Sequence, residues 1–223
     1  MIFPVARSHG HFNVDEDDFQ VADKSTIDAY DTEAASFAAD WETQPSPDDL
    51  YALIKTYFTH GLTADIGCGS GRDVAWMNAH GFDAVGYDAS PGLLAQAGLR
   101  HPGLCFTQAA LPELEPIPSH QFRNVLCETV IMHVHPGQIG RATQRLLDIL
   151  QPHGTLLLTW RVTDGESMRD EHDRLYASFD RALVLDACIG HTLLLDEEGM
   201  NRSSGKRVHR IVVRKEASDR DSP

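Results

Sequence analysis

The chain has 223 residues, a formal net charge of −14, a hydrophobic fraction of 42% and four cysteines. That length suits one domain with a decorated end, and the negative balance argues against a general affinity for nucleic acid or anionic membrane. Cys68, Cys105, Cys127 and Cys188 form no CxxC pair, and neither a leader sequence nor a run of roughly 18 apolar residues is present, so a zinc knuckle, a dithiol motif and a membrane span are excluded and a cytoplasmic location is expected.

Residues 1–24, with the acidic run Asp15 to Asp18, read as a flexible arm. Apolar residues at helical spacing from Ser25 to Trp41 predict one helix. A second, marked by Leu50, Leu53, Ile54, Tyr57 and Phe58, ends at His60-Gly61, and together these helices (25–60) cover the site. A core over 61–215 follows, in which strands and helices alternate. The predicted strands are Leu62 to Ile66, Ala84 to Tyr87, Leu104 to Thr107, Phe122 to Cys127 and Thr155 to Arg161. The predicted helices are Asp73 to His80, Pro91 to Arg100 and Gly137 to Leu150. Leu156-Leu157-Leu158 suits a strand buried on both faces.

The end of the chain breaks the alternation. A helix is expected from about Glu171 to Ala187, then strands His191 to Asp196 and Arg207 to Arg214 joined by a turn-rich Glu197 to Lys206, with 216–223 as a tail. Two strands joined without a helix pair antiparallel or belong to different edges. The expected fold is therefore α/β, a Rossmann-like doubly wound and mostly parallel sheet with an antiparallel C-terminal strand pair and helices on both faces.

The sharpest motif is Asp65-Ile66-Gly67-Cys68-Gly69-Ser70-Gly71-Arg72, set between a predicted strand and a predicted helix. Glycines there let the chain turn tightly and let a ligand approach the backbone, while the helix N-terminus offers free N–H groups. Asp88 ends the second strand, 88 − 67 = 21 positions beyond Gly67. That is near the roughly 20 expected of an acid that accepts hydrogen bonds from a ribose, so a nucleoside is the expected ligand. Asp65 places a carboxylate directly before the glycines, where it would repel a pyrophosphate, and no Gly-Lys-Ser or Gly-Lys-Thr marks a P-loop.

These residues resemble the class I S-adenosylmethionine-dependent methyltransferases from about Leu62 to Arg161. The resemblance implies that Asp65, Gly67, Cys68, Gly69, Gly71 and Arg72 form the loop around the methionine part of the cofactor, and that Asp88 and Ala89 sit at the ribose. Cys127-Glu128-Thr129 is similar to the motif bordering the methyl group, and Pro152-His153-Gly154 to the family's signature before the fifth strand. Where the family often has an adenine-binding Asp this chain has Ala110, so Gln108 and Ala109 are the expected substitutes. Tyr30 and Phe37 resemble an aromatic pattern that lines the transfer pocket; packing against the sheet is the competing reading.

The implied activity is methyl transfer from S-adenosylmethionine to a small-molecule acceptor, as in the tellurite-resistance and thiol methyltransferase branch. The alternatives are a methyltransferase acting on protein or RNA, and an NAD-dependent oxidoreductase. Glu128, His133 and Tyr30 are the candidate catalytic residues. His133 and His135 alone are too few to hold a metal. Arg72 can pair with the cofactor carboxylate or with Asp73, and Arg161 stands where an anionic substrate would meet it. Oligomeric state is not legible in the sequence.

Overall fold

The expectation that Leu156-Leu157-Leu158 is buried on both faces is met in a computed structural model, which describes residues 22–217. All three leucines are fully buried; Leu156 and Leu158 join one apolar cluster with Ile211 and Val213, while Leu157 joins the opposite one with Leu126 and Val212. Alternation of side chains along a strand divides them this way between two layers.

In chain order the elements are α1 (Lys24–Thr32), α2 (Ala34–Thr43), α3 (Asp48–Tyr57), β1 (Leu62–Ile66), α4 (Arg72–Ala79), β2 (Asp83–Asp88), α5 (Pro91–Arg100), β3 (Phe106–Gln108) and β4 (Phe122–Glu128). Then come single 3-10 turns at Ile131–His133 and Pro136–Gln138, α6 (Ile139–Asp148), β5 (Leu150–Arg161), β6 (Met168–Arg169), β7 (Leu175–Tyr176), α7 (Ala182–Ala187), β8 (Thr192–Met200) and β9 (Arg207–Arg214). The main sheet has the order β3-β2-β1-β4-β5-β9-β8. β1 to β5 run parallel, and β9 inserts antiparallel between β5 and β8, with Arg161 opposite Val208. The antiparallel C-terminal pair is thus as expected, and it places the β8–β9 turn at the C-terminal end of β5. In open α/β sheets that end is where ligands bind. α3 and α4 cover one face through Leu50, Ile54, Val74 and Met77, and α6 covers the other through Ile139, Ala142, Leu146 and Leu147.

Several boundaries differ from expectation. The single N-terminal helix is two, because Glu33 leaves helical geometry at φ −109° and ψ 22°. The long helix predicted over 171–187 is reduced to α7. In its first half the Asp170 carboxylate accepts from the backbone N–H groups of His172 and Arg174, and Asp173 turns to φ 62°. Such side-chain bonds to nearby backbone compete with helix formation, and the β6–β7 hairpin results. β3 begins two residues later than predicted, and β8 runs on to Met200, which shortens the expected turn. Of the predicted arm only 22–24 are described, and Asp23 caps α1 by accepting from Thr26 N at 3.0 Å. The rest of the arm and the tail beyond 217 lie outside the described residues. Among the described residues no helix is long and apolar enough to cross a membrane.

Candidate active site

Three glycines set the loop after β1. Gly67, Gly69 and Gly71 have φ values of +78°, +55° and +84°, a region costly for residues with a Cβ. A Cβ at Gly67 would stand 2.1 Å from Val130 Cγ2, and one at Gly69 would stand 2.8 Å from the Trp41 ring. The loop hangs on β2 through hydrogen bonds from Gly67 N (2.7 Å) and Cys68 N (2.9 Å) to the carbonyl of Tyr87. Asp88 joins this loop to the next one, because Oδ2 accepts from Gly69 N and Oδ1 from Ser90 N, both at 2.9 Å.

Two cavities meet along this loop. The larger, about 330 Å³, reaches from Cys68, Asp73 and Glu128 to Arg161, Arg174, Tyr176 and Lys206. The smaller, about 140 Å³, runs past Asp88, Ala89, Leu93, Ala109, Ala110, Val130 and His133. Tyr30, Trp41, Gly67, Gly69, Glu128 and Thr129 border both. Volumes of a few hundred Å³ suit small ligands.

Acidic groups crowd the loop end. Arg72 chelates Asp73, with Nε to Oδ1 at 2.9 Å and Nη2 to Oδ2 at 3.0 Å, and also lies 3.5 Å from Glu128 Oε2. Of the two partners expected for Arg72, Asp73 is engaged here, joined by Glu128. Tyr51 donates to Asp73 Oδ1 at 2.9 Å, and Asn201 donates to Glu128 Oε1 at 3.0 Å. Burial and the nearby Asp73 charge push the Glu128 carboxyl up to about 7. Asp65 is driven well above the usual carboxylate range by burial and by Asp73 and Glu128, and its Oδ2 is buried with no hydrogen-bond partner among the described residues. A buried orphan carboxylate beside further acids is a place where a cation relieves an electrostatic cost.

Tyr30 and His133 form a second constellation. The Tyr30 hydroxyl lies 3.2 Å from His133 Nε2, while His133 Nδ1 lies 2.5 Å from the Leu175 carbonyl. A carbonyl only accepts, so Nδ1 carries the proton and Nε2 accepts from the phenol. Burial holds His133 neutral, its pKa lowered to about 4, and raises that of Tyr30 far above the ordinary phenol value. A histidine lowered from 6.5 contributes stability that is complete above pH 6.5 and is lost as pH falls toward 4. In urea unfolding, the stability advantage of wild type over His133→Gln is expected to shrink by roughly 2 kcal/mol from pH 7 to pH 5. Raised Glu128 acts with the opposite sign in both proteins and cancels in that comparison. An advantage that is constant with pH would contradict the assignment.

Not every expected residue reaches a cavity. Gly67, Cys68, Gly69, Arg72, Asp88, Ala89, Ala109, Glu128, His133 and Tyr30 all do, whereas Asp65, Gly71, Gln108 and Cys127 border neither. Cys127 is fully buried in the sheet core, and Gln108 donates to the Ala89 carbonyl at 3.0 Å. The aromatic stripe divides: Tyr30 and Trp41 line the cavities, while Phe37 packs with Ala34 and Leu93. Sequence reasoning missed Arg174, Tyr176, Asn201, Ser203 and Lys206 as cavity residues. The first two were assigned to a helix, and only the turn-like composition of 201–206 marked the rest as loop.

A family model described as a methyltransferase domain matches residues 64–154. The trans-aconitate 2-methyltransferase of Methylobacterium nodulans is 34% identical over 132 residues, which are 56% of this chain and 48% of that protein. The chain thus matches about half the length of this curated relative. Among solved structures, the Burkholderia thailandensis 1,6-didemethyltoxoflavin-N1-methyltransferase, with 1,6-didemethyltoxoflavin and S-adenosylhomocysteine bound, superposes with a TM-score of 0.67 at 20% identity, covering 89% of this chain and 92% of that one. The [4+2]-cyclase SpnF superposes with a TM-score of 0.65 at 16% identity, covering 86% and 96%. The fold therefore serves more than one chemistry, and the site has to decide. With the glycine loop, Asp88 and the β9 insertion in place, residues 64–154 match the methyltransferase-domain model and the chain shares its fold with solved S-adenosylmethionine-dependent methyltransferases.

Proposed function

We propose that the protein transfers a methyl group from S-adenosylmethionine to a small-molecule acceptor. The observation that carries this reading is the pair of cavities joined at Gly67 and Gly69, with Asp88 on one, Asp73 on the other and Glu128 bordering both. A nucleoside fits beside Asp88, and a cationic sulfonium with its ammonium group fits the acidic end beside Glu128 and Asp73, with the buried Asp65 behind them. When bound, the cofactor supplies an electrophilic methyl carbon.

The chain's own residues supply placement and exclusion of water, the main contributions available to an in-line displacement. Gly67, Gly69 and Asp88 would hold the methyl donor, and its sulfur would be the leaving group, departing with the electron pair as the acceptor bond formed. Glu128 is held by Arg72 and Asn201, which suits it to electrostatic stabilisation of the cation more than to proton removal. Tyr30 lines both cavities, and its hydroxyl donates to a neutral imidazole. An acceptor that carries a proton passes it to the Tyr30 oxygen while the phenol proton moves to His133 Nε2. That proton becomes strongly acidic once the methyl bond forms, so even a weakly basic imidazole can receive it. The names of the aconitate and toxoflavin enzymes support a small acceptor.

Calorimetric titration of S-adenosylmethionine, S-adenosylhomocysteine and NAD tests the reading. Saturable binding of the two sulfur ligands is expected, and binding of NAD alone would overturn it. Tyr30→Phe is expected to lower kcat by about 10² with S-adenosylhomocysteine affinity within about threefold of wild type. An unchanged kcat would remove Tyr30 and His133 from proton transfer.

A further inference from the structure

The larger cavity has a wall that methyl donation does not use. Arg161, at the end of β5, places its guanidinium carbon 4.9 Å from the centroid of the Tyr176 ring. Val162 N donates to the Arg207 carbonyl at 3.0 Å, which brings Lys206 alongside the same strand end, and Asn201 N closes the β8–β9 turn on the Lys206 carbonyl at 2.9 Å. Both Arg161 and Lys206 line the cavity.

The surrounding charges are already matched. Arg72 is held by Asp73 and Glu128, Arg174 by Asp170, and Arg207 by Asp164. Glu128 and Asp73, the acids facing the cavity, are in turn engaged by Arg72, Asn201 and Tyr51. Arg161 and Lys206 have no carboxylate within ion-pair distance among the described residues. In a chain of net charge −14, two adjacent cations without acidic partners are conspicuous because acids are abundant. The Arg161 guanidinium also donates to the Tyr176 hydroxyl, which leaves others of its five N–H donors for a planar carboxylate.

We infer that the methyl acceptor carries a carboxylate and that Arg161 and Lys206 hold it, with Tyr176 as the apolar wall beside it. The inference rests on the methyl-transfer reading, and it names the acceptor class and the positioning residues. Arg161 and Lys206 act by fixing the acceptor against the Tyr30 hydroxyl and the loop. The same two cations could instead serve the methionine carboxylate of the cofactor, and the experiment separates the two sources.

Acetate, malonate and tricarballylate, with the neutral propane-1,2,3-tricarboxamide as control, are titrated calorimetrically into wild type, Arg161→Gln and Lys206→Gln, with and without saturating S-adenosylhomocysteine. At least one carboxylate is expected to bind wild type at least tenfold more tightly than the amide. Arg161→Gln should weaken it tenfold or more and Lys206→Gln at least threefold, with S-adenosylhomocysteine affinity within twofold throughout. Equal carboxylate affinity in wild type and both variants, or no carboxylate binding to wild type, overturns the inference. A tenfold loss of S-adenosylhomocysteine affinity in Arg161→Gln, with carboxylate binding unchanged, also overturns it and assigns the cations to the cofactor. Failure of wild type to bind S-adenosylhomocysteine is a separate failure, that of the methyl-transfer reading, and shows before any carboxylate is added.

Discussion

Gly67→Ala is expected to lose about 2 to 5 kcal/mol of folding stability and to weaken S-adenosylhomocysteine binding by about 10² or more. Two costs combine at this position. Its φ of +78° disfavours any side chain by about 1 to 2 kcal/mol. In addition, the new methyl would overlap Val130 Cγ2 at 2.1 Å, and Val130 packs against the main apolar cluster and cannot swing freely away. Relief requires the loop or the β4 end to move, and overpacking of that kind costs about 1 to 3 kcal/mol. The loop borders both cavities, so a displacement of about 1 Å there is enough for the predicted affinity loss. Urea unfolding and calorimetry measure the two effects. Gly98→Ala is the matched control: it lies in α5 with nothing within 4 Å of its would-be Cβ, and should be neutral or slightly stabilising. Equal behaviour of the two variants would show that the loop backbone is not constrained as described.

The second large effect is expected at Asp88. Asp88→Ala should weaken S-adenosylhomocysteine by about 10- to 100-fold, the 1 to 3 kcal/mol that follows loss of hydrogen-bonding partners. The carboxylate joins two loops, since Gly69 N and Ser90 N both donate to it, and its removal leaves buried donors unmatched. Stability should therefore fall as well, by about 1 to 3 kcal/mol. Asp88→Asn keeps an acceptor for one of these N–H groups and should recover part of the stability but little of the affinity. Calorimetry with unchanged affinity in Asp88→Ala would remove the ribose assignment.

Much of the fold was legible because burial on two faces leaves a plain mark. Leu156, Leu157 and Leu158 can be apolar in succession only where both sides of a strand are covered, and the structure shows the two layers they join. The helix predicted over 171–187 failed for a local reason: the Asp170 carboxylate binds the backbone of His172 and Arg174 more readily than a helix would form there. At the site, the glycines and Asp88 were legible because their spacing reflects a backbone demand within one strand-turn-helix unit. Lys206, Asn201 and Arg174 were not, because the folded sheet brings them to the cavity from segments with no shared local pattern. Cys127 was legible as a strand residue but points into the core, since strand alternation turns its neighbour Glu128 toward the cavities instead.

The family match ends at residue 154, yet Tyr30, Trp41, Arg161, Arg174, Tyr176 and Lys206 all stand outside it on the cavity walls. The wall of Arg161, Arg174, Tyr176 and Lys206 thus comes from a different stretch of chain than the glycine loop and Asp88, while Tyr30 and Trp41 of the N-terminal helices border both cavities. Drift in the flanking stretches can reshape what the cavity admits without disturbing the central strands or the glycine loop. On a scaffold divided in this way the recognition wall and the loop it faces can change at separate rates.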